Sequence, residues 1–232
     1  MEYEFKYIDK GCPFYGNCKD NCTFTCTRYM EIDYLMKTSN IPKARQGVNK
    51  LTPMDCDYDA FVQLANIKKD IVNFVSNGNF LYLYGENVGS GKSVWSIKLM
   101  QAYLACCHYG NGFKSRAWFE YVPTLLLSLK DFYNVEKKQE IMTNLREREL
   151  VVLDDIGACE QSKYDDTGIS SIVDHRYSNG LSTIFTGNLP PDILDSKIDV
   201  RVSDRVQSGY VLELKGVGMR GKGSVYKAGG AT

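Results

Sequence analysis

The stretch from residue 80 to about residue 109 constrains the fold more than any other part of the sequence. A short apolar and aromatic run, Phe80-Leu81-Tyr82-Leu83-Tyr84, leads into clustered glycines, and a helix-forming run begins at Ser93. An apolar run of this length is typical of a buried parallel strand. A strand, a glycine-rich loop and a helix in this order form the phosphate-binding unit of α/β proteins. We therefore predict a parallel sheet with a phosphate site at its edge.

The glycine-rich loop carries the residue types that phosphate binding needs. Glycines let backbone N–H groups point at phosphate oxygens, and the start of the next helix adds its positive dipole end. Lys92 is expected to reach the β- and γ-phosphates, and Ser93 to ligate Mg²⁺. The usual pattern has glycine where this chain has Glu86, whereas Gly85 stands one residue too early. The alternative is a turn that merely contains Lys-Ser. The predicted nucleotide-binding residues of the loop are Gly89, Ser90, Gly91, Lys92 and Ser93.

An acidic pair ends the most strand-like run of the chain, Leu150-Val151-Val152-Leu153. A buried strand would deliver Asp154 to the edge of the sheet, where it can hold Mg²⁺ through water, while Asp155 polarises the attacking water. A core strand with a polar end is the competing interpretation. A phosphate loop and an apolar strand that ends in carboxylates, the Walker B motif, would rarely both arise by chance in this order. The sequence therefore predicts ATP and Mg²⁺ as ligands.

Strands and helices alternate along most of the chain. A helical apolar period runs from Phe61 to Val75, and further strands are expected at residues 117–122 and 182–186. This alternation predicts an α/β fold, a central parallel sheet with helices on both faces. We divide the chain into a Cys-rich module at residues 1–52, an ATPase domain at residues 53–221 and a mobile tail at residues 222–232.

The charge balance limits the partners that the whole surface can attract. Lys+Arg and Asp+Glu both number 28, so the chain lacks the field of a protein that coats nucleic acid or an anionic membrane. Any DNA contact is therefore expected to be local. No leader peptide is visible, and no apolar run approaches the ~20 residues of a membrane span. We expect a cytoplasmic protein.

Cysteines crowd the first part of the chain. In a cytoplasmic protein, clustered cysteines point to metal before disulfides. Four thiolates can close a tetrahedral Zn²⁺ shell, which would stabilise a segment with little core of its own. An iron–sulfur cluster is the second choice, and unliganded thiols are the third. The predicted ligands are Cys12, Cys18, Cys22 and Cys26.

Two further stretches connect these motifs to a known family. Gly157 follows Asp154-Asp155-Ile156, and Thr186-Gly187-Asn188-Leu189 comes later in the chain. Together they resemble the DnaC/DnaI-type AAA+ replicative helicase loaders, with IstB-type transposition ATPases as relatives. The resemblance covers roughly residues 59–220, and the longer phosphate loop is similar to the phage-encoded branch. It implies an ATP-switched protein that places a hexameric replicative helicase on single-stranded DNA. In such loaders, the segment before the ATPase domain grips the helicase.

The resemblance also implies roles for particular side chains. Asn188 matches sensor 1, which orients the lytic water, although a turn asparagine is the plain alternative. Arg205 is the first choice for an arginine finger and Arg201 the second, which implies self-association. Arg220 is similar to sensor 2, although the chain ends soon afterwards. Arg176 matches a position near the subunit interface, where a nucleotide contact and an ion pair are both open.

Hydrolysis is expected to be slow. AAA+ proteins usually have Glu where this chain and the loaders have Asp155, and a shorter carboxylate positions water less well. We therefore expect hydrolysis to act as a switch. Two rival functions remain at this point: an IstB-like transposition ATPase, and a nucleotide-gated adaptor that does not hydrolyse ATP.

Overall fold

A computed structural model describes residues 26–46, 55–107, 115–130, 133–158 and 163–216. A single sheet of five parallel strands forms the centre of the described chain, in the order β2-β3-β4-β1-β5. The parallel sheet predicted from the sequence is confirmed. The strands are β1 (Phe80–Tyr84), β2 (Ala117–Tyr121), β3 (Leu150–Ile156), β4 (Ser182–Gly187) and β5 (Tyr210–Glu213).

Helices connect the strands and cover the sheet. The helix expected from Phe61 to Val75 is broken at Asp70 into two helices, Tyr58–Lys69 and Ile71–Ser76, because Asp70 leaves helical geometry with a ψ of 32°. Short 3₁₀ turns occupy Lys43–Arg45 and Asp55–Asp57. The helices are α1 (Thr27–Thr38), α2 (Tyr58–Lys69), α3 (Ile71–Ser76), α4 (Lys92–Cys107), α5 (Val122–Lys130), α6 (Val135–Glu147), α7 (Lys163–Ser178), α8 (Pro191–Lys197) and α9 (Val200–Gln207).

Each face of the sheet buries its own apolar cluster. Successive strand side chains point to opposite faces, so Leu81 and Leu83 of β1 join one cluster, while Phe80 and Tyr82 join the other. The first cluster packs against α1 to α4, and the second against α5 to α9. Strands buried on both faces explain the continuous apolar runs in the sequence.

Part of the predicted N-terminal module belongs to this core. Ile32, Leu35 and Met36 of α1 lie in the same cluster as β1 and α4. The segment that follows α1 is held to β2, because the backbone N–H of Phe119 donates to Ser39 O at 2.9 Å. Residues 26–46 therefore pack against the same core as the sheet, and the domain boundary at residue 52 stays a prediction. The remainder of the module and the tail from residue 222 lie outside the described residues.

The strand order brings three loops together. Because β4 lies between β1 and β3, the segments that follow these strands meet at the carboxyl edge of the sheet. This edge carries the phosphate loop, the acidic pair and Asn188. Within the described ranges, no helix has the length and apolarity required to cross a membrane.

Candidate nucleotide site

The phosphate loop joins the end of β1 to the start of α4. Gly89 and Gly91 have φ angles of 88° and 100°, a region that glycine occupies without strain. Trp95 N–H donates to Gly91 O at 2.8 Å, which begins the hydrogen bonding of α4 directly after the loop. The loop therefore delivers the chain to a helix N-terminus, where backbone N–H groups are available to an anion.

Gly85, the glycine that falls one position early, has a packing reason. A Cβ atom at Gly85 would lie 2.1 Å from Leu214 O, on the segment that follows β5. Leu214 N–H donates to Tyr84 O at 2.7 Å, so the two backbones are held at this close approach. Asn87 Nδ2 also donates to Lys215 O at 2.9 Å. The longer loop is thus fastened to the end of β5.

Lys92 is turned into the loop. Its Nζ donates to Gly85 O at 2.7 Å, to Asn87 O at 3.1 Å and to Ser90 Oγ at 3.1 Å. Burial lowers the pKa of Lys92, and the nearby charges of Asp155 and Asp154 act in the opposite direction. The ammonium group is therefore surrounded by neutral acceptors that a phosphate oxygen can replace.

The Thr186 hydroxyl fixes both members of the acidic pair. Asp154 is only 2% exposed, and its Oδ1 accepts from Thr186 Oγ1 at 2.7 Å. The same Thr186 oxygen accepts from Asp155 N–H at 3.0 Å. The second carboxylate oxygen of Asp154, Oδ2, lies 3.4 Å from Arg45 Nη1. One side chain of β4 therefore sets the position of the end of β3.

Asp155 has an unusual backbone conformation. Its φ angle is 68°, and the pairing of β3 with β4 shifts between Leu153 and Ile156, which is a bulge. Bulges re-aim side chains beside active sites, and positive φ values for residues other than glycine are often found there. Here the bulge directs Asp155 away from the core, so that its side chain is half-buried.

Two donors hold the Asp155 carboxylate. Asn188 Nδ2 donates to Oδ1 at 3.1 Å, and Tyr121 OH donates to Oδ2 at 3.3 Å. Burial raises the pKa of Asp155, as does the charge of Asp154, whereas Tyr121 and Lys92 lower it. A carboxylate held in place with raised basicity can accept a proton from water.

Arg205 and Arg201 lie apart from this network, on α9. The Arg205 guanidinium stacks over the Tyr177 ring at 4.2 Å and lies 3.7 Å from Asp174 Oδ1. Arg201 is exposed, and its backbone N–H donates to Asp199 at the start of the helix. Neither arginine contacts the acidic pair of its own chain, so the finger role stays a prediction. Arg220 lies outside the described residues.

Arg176 takes neither of the roles considered for it. It is fully buried, and its donors all reach neutral oxygens at 2.5 to 3.4 Å. Burial lowers the pKa of Arg176 to about 9. It joins the ends of α6 and α7 to the starts of β3 and β4, at the sheet edge opposite the phosphate loop. Its acceptors are Leu145 O, Arg148 O, Glu149 O, Ser182 O and Thr183 Oγ1.

The donor atoms of the site suit a hard divalent cation. Mg²⁺ is usually bound by one or two oxygen side chains, phosphate oxygens and water, and Ser93 and Asp154 offer a hydroxyl and a carboxylate. The cysteine site is a different matter. Cys26 is half-buried just before α1, and Cys12, Cys18 and Cys22 lie outside the described residues. Over the described ranges, no three His, Cys, Asp or Glu side chains are grouped so as to hold a metal.

Sequence reasoning did not assign roles to three residues of the site. Thr186 stood in a quoted motif, and its position on the strand between β1 and β3 would have drawn attention to it had the strand order been known. Tyr121 ends β2 at the same edge, which is a weak signal. Arg45 lies 109 residues before Asp154, and nothing in the sequence connects the two.

Comparison with known proteins agrees with this geometry. A family model described as RNA helicase matches residues 81–176, which include the phosphate loop and the acidic pair. The replicative helicase loader DnaI of Bacillus subtilis (strain 168) is 30% identical over 123 residues. That match covers 53% of this chain and 37% of DnaI, so the chain spans little more than a third of its relative's length.

Solved structures extend the likeness to the fold. A crystal structure of DnaI matches with a TM-score of 0.62 at 22% identity, over 76% of this chain and 95% of the other. The DnaC helicase loader matches with a TM-score of 0.59 at 22% identity, over 72% and 94%. The predicted resemblance to DnaC/DnaI-type helicase loaders is confirmed. The replication initiator DnaA bound to AMPPCP and single-stranded DNA also matches, with a TM-score of 0.55 at 18% identity, over 71% and 48%. The α/β fold of the chain is thus shared with the solved DnaI and DnaC structures.

Proposed function

We propose that this chain is an ATP-dependent loader that places a hexameric replicative helicase on single-stranded DNA. The observation that carries the proposal is the meeting of the phosphate loop, the acidic pair and Asn188 at one sheet edge. The likeness to DnaI and DnaC supports the choice of loader over an IstB-like transposition ATPase. The match to the DnaA structure that contains AMPPCP and single-stranded DNA supports ATP and DNA as ligands.

Each residue of the edge has a task in nucleotide binding. The N–H groups around Gly89 and Gly91 bind phosphate oxygens. The Lys92 ammonium group exchanges its hydrogen bonds to loop oxygens for contacts with the β- and γ-phosphates. Ser93 and Asp154 are the residues that would hold Mg²⁺. When bound, Mg²⁺ neutralises charge on the phosphate oxygens.

Asp155 serves as the general base for hydrolysis, and Asn188 orients both Asp155 and the attacking water. The hydrogen bond from Tyr121 lowers the pKa of Asp155 and so offsets part of the rise that burial and Asp154 cause, which favours slow turnover. The slow reaction acts as a switch between bound states. The rival adaptor function would show ATP binding with no turnover in the assembled protein.

Assembly supplies what one chain lacks. Arg205 enters the site of a neighbouring copy and stabilises charge on the transferring phosphoryl group. We expect Arg205→Ala to keep nucleotide affinity and to lose hydrolysis, with Arg201→Ala as the matched control on the same helix. Normal hydrolysis by Arg205→Ala, with loss in Arg201→Ala, would reassign the finger to Arg201.

The decisive experiment is copurification with a hexameric replicative helicase, with and without ATP. The wild-type chain should retain the helicase in an ATP-dependent manner, and Lys92→Ala should lose that dependence. Lys68→Ala, an exposed lysine on α2, is the control. A chain that binds ATP but shows no affinity for any replicative helicase would contradict the loader function and leave the ATPase assignment intact.

The N-terminal cysteines belong to the same proposal. Cys12, Cys18, Cys22 and Cys26 bind Zn²⁺, and the module they hold contacts the helicase. Metal analysis of anaerobically purified protein separates zinc from iron–sulfur. Normal helicase binding by a metal-free Cys22→Ser variant would contradict the partner role of this module.

A further inference from the structure

Asp154, the proposed Mg²⁺ residue, already has a cationic partner. The side chain of Asp154 is 3% exposed, and its Oδ2 lies 3.4 Å from Arg45 Nη1. Lys92, the other cation near the acidic pair, directs its ammonium group to loop oxygens instead. Arg45 is therefore the residue that supplies positive charge directly to Asp154 in the described part of the chain.

Arg45 comes from a segment that lies outside the phosphate-binding unit. We call residues 39–46 the strap. Its first part pairs with the edge strand β2, since Ser39 O accepts from Phe119 N–H at 2.9 Å and Asn40 Nδ2 donates to Phe119 O at 2.9 Å. Its last part is held by Gln101 of α4, whose Nε2 donates to Gln46 O at 3.2 Å.

The strap is also closed on itself around Arg45. Gln46 Nε2 donates to Ile41 O at 2.8 Å, and Arg45 N–H donates to Pro42 O at 2.7 Å. Ile41 is buried in the core cluster that contains α1 and α4. The backbone of Arg45 therefore has a fixed position, while its side chain is 34% exposed and can turn away from Asp154.

A guanidinium and a divalent cation cannot both use Asp154 without cost. The two cations would lie within a few ångströms of each other at the edge of a low-dielectric core, where their repulsion is far stronger than in water. Binding of Mg²⁺ with a nucleotide must therefore work against the Arg45–Asp154 pair. The Arg45–Asp154 pair therefore lowers the affinity for metal-bound nucleotide relative to the affinity for metal-free nucleotide.

We propose that Arg45 is a specificity-determining residue of the nucleotide site, a built-in counter-ion that occupies Asp154 until a Mg²⁺–nucleotide complex displaces it. The inference rests on the proposed nucleotide binding. Displacement removes the side-chain contact between the strap and Asp154, so the strap is held less firmly by its remaining hydrogen bonds and nucleotide state is transmitted to the chain that precedes the ATPase core. Because coupling between two sites is reciprocal, a partner that pulls the strap away raises the affinity for Mg²⁺–nucleotide.

The test is a binding titration with AMPPCP, in MgCl₂ and in EDTA. Arg45→Ala should bind Mg²⁺–AMPPCP about twofold to fivefold more tightly than the wild type, the range expected when a partly exposed ion pair is removed. Its affinity for AMPPCP in EDTA should not rise. Arg45→Lys should behave like the wild type, because the charge is kept. Lys43→Ala, an exposed lysine on the same 3₁₀ turn, is the matched control and should change neither affinity.

A second measurement reads the strap itself. Hydrogen exchange of the backbone amides in residues 41–46 should become faster in the wild type when Mg²⁺–AMPPCP binds. In Arg45→Ala, the exchange should be fast before nucleotide is added and should change little afterwards. Exchange that slows on binding in the wild type would mean that the strap closes on the nucleotide, which contradicts displacement.

The remaining outcomes separate this inference from the proposed function. Weaker Mg²⁺–AMPPCP binding by Arg45→Ala would show that Arg45 contacts the nucleotide, and an unchanged affinity would show that the ion pair is incidental. Either result overturns the inference. If the wild type still binds AMPPCP and Lys92→Ala does not, the proposed nucleotide site remains supported. If neither the wild type nor Arg45→Ala binds AMPPCP under any condition, the nucleotide function and the inference both fail.

Discussion

The amino edge and the carboxyl edge of the sheet, formed by the two ends of its parallel strands, surround their charged groups in different ways. At the amino edge, the buried Arg176 guanidinium donates only to neutral oxygens and ties two helices to two strands. At the carboxyl edge, two carboxylates are adjacent, one of them with a positive φ angle and a raised pKa. The first edge surrounds one buried cation with neutral acceptors, whereas the second places two carboxylates next to each other, near the cations Arg45 and Lys92.

This difference separates stability from function within one layer of structure. Natural proteins accept strain and like charges where ligands bind, and the rest of the fold must compensate. The amino edge does so here, because Arg176 satisfies carbonyl groups that the helix ends leave without partners. Removal of the buried cation at the amino edge should therefore destabilise the protein, whereas removal of a carboxylate charge at the carboxyl edge should stabilise it, and these substitutions test the comparison.

Loss of Arg176 should have the largest effect. Arg176→Met keeps much of the side-chain volume but leaves the carbonyl groups of Leu145, Arg148 and Ser182 without their donor. Buried polar groups without partners are costly, so we expect the free energy of unfolding to fall by about 3–5 kcal/mol. Urea denaturation measures the change.

Arg205→Met is the matched control for that measurement. Its guanidinium is partly exposed and makes a ring contact and ion pairs, so the expected loss is about 1 kcal/mol or less. If the two variants lose similar amounts, the two arginines do not differ in the way the contacts indicate.

Thr186→Val should have the next largest effect. It removes the hydroxyl that accepts from Asp155 N–H and donates to Asp154, and we expect a loss of about 1–2 kcal/mol in thermal unfolding. Thr186→Ser keeps the hydroxyl and should lose less. Equal losses in both variants would point to the methyl group and would remove Thr186 from the account of the acidic pair.

The contrast between the edges was only half visible in the sequence. The strands, the phosphate loop, Asp154 and Asp155 follow local patterns of period and composition, and they were predicted from them. The sequence also draws attention to Arg176, but its partners lie on strands and helix ends whose neighbours depend on the strand order. Gly85 and Arg45 have the same limitation, because Leu214 and Asp154 are far away in sequence. Contacts between residues that are far apart in the chain produce no recognisable spacing in the sequence.

Asp155→Asn should stabilise the protein. Burial and Asp154 raise the folded pKa of Asp155 above its ordinary value, so the fold disfavours the ionised form. The wild type therefore loses stability as the pH rises from about 4 through the raised pKa, and this loss is complete once the pH lies above that pKa. Asn does not titrate and can keep hydrogen bonds to Asn188 and Tyr121.

We expect a gain of about 0.5–1 kcal/mol at pH 7, small because water screens the partly exposed carboxylate. The gain should shrink toward pH 4. Thermal unfolding of both proteins in EDTA at the two pH values measures it. A destabilised Asp155→Asn at pH 7 would mean that the acidic pair contributes to stability, contrary to the comparison.

The last effect, about as small as that of Asp155→Asn, is expected at Tyr177. A double-mutant cycle of Tyr177→Leu and Arg205→Met isolates the coupling between ring and guanidinium, and Tyr177→Phe, which keeps the ring, should retain it. We expect about 0.5–1 kcal/mol, typical of an exposed cation–π pair. A weak coupling fits the proposed finger role, because a side chain that must release its own contacts to reach a neighbour's phosphate can be held only weakly at rest. The Arg176 side chain, by contrast, has to stay in place. A coupling above about 2 kcal/mol would place Arg205 beside Arg176 as an anchored residue, and the finger would then have to be sought at Arg201.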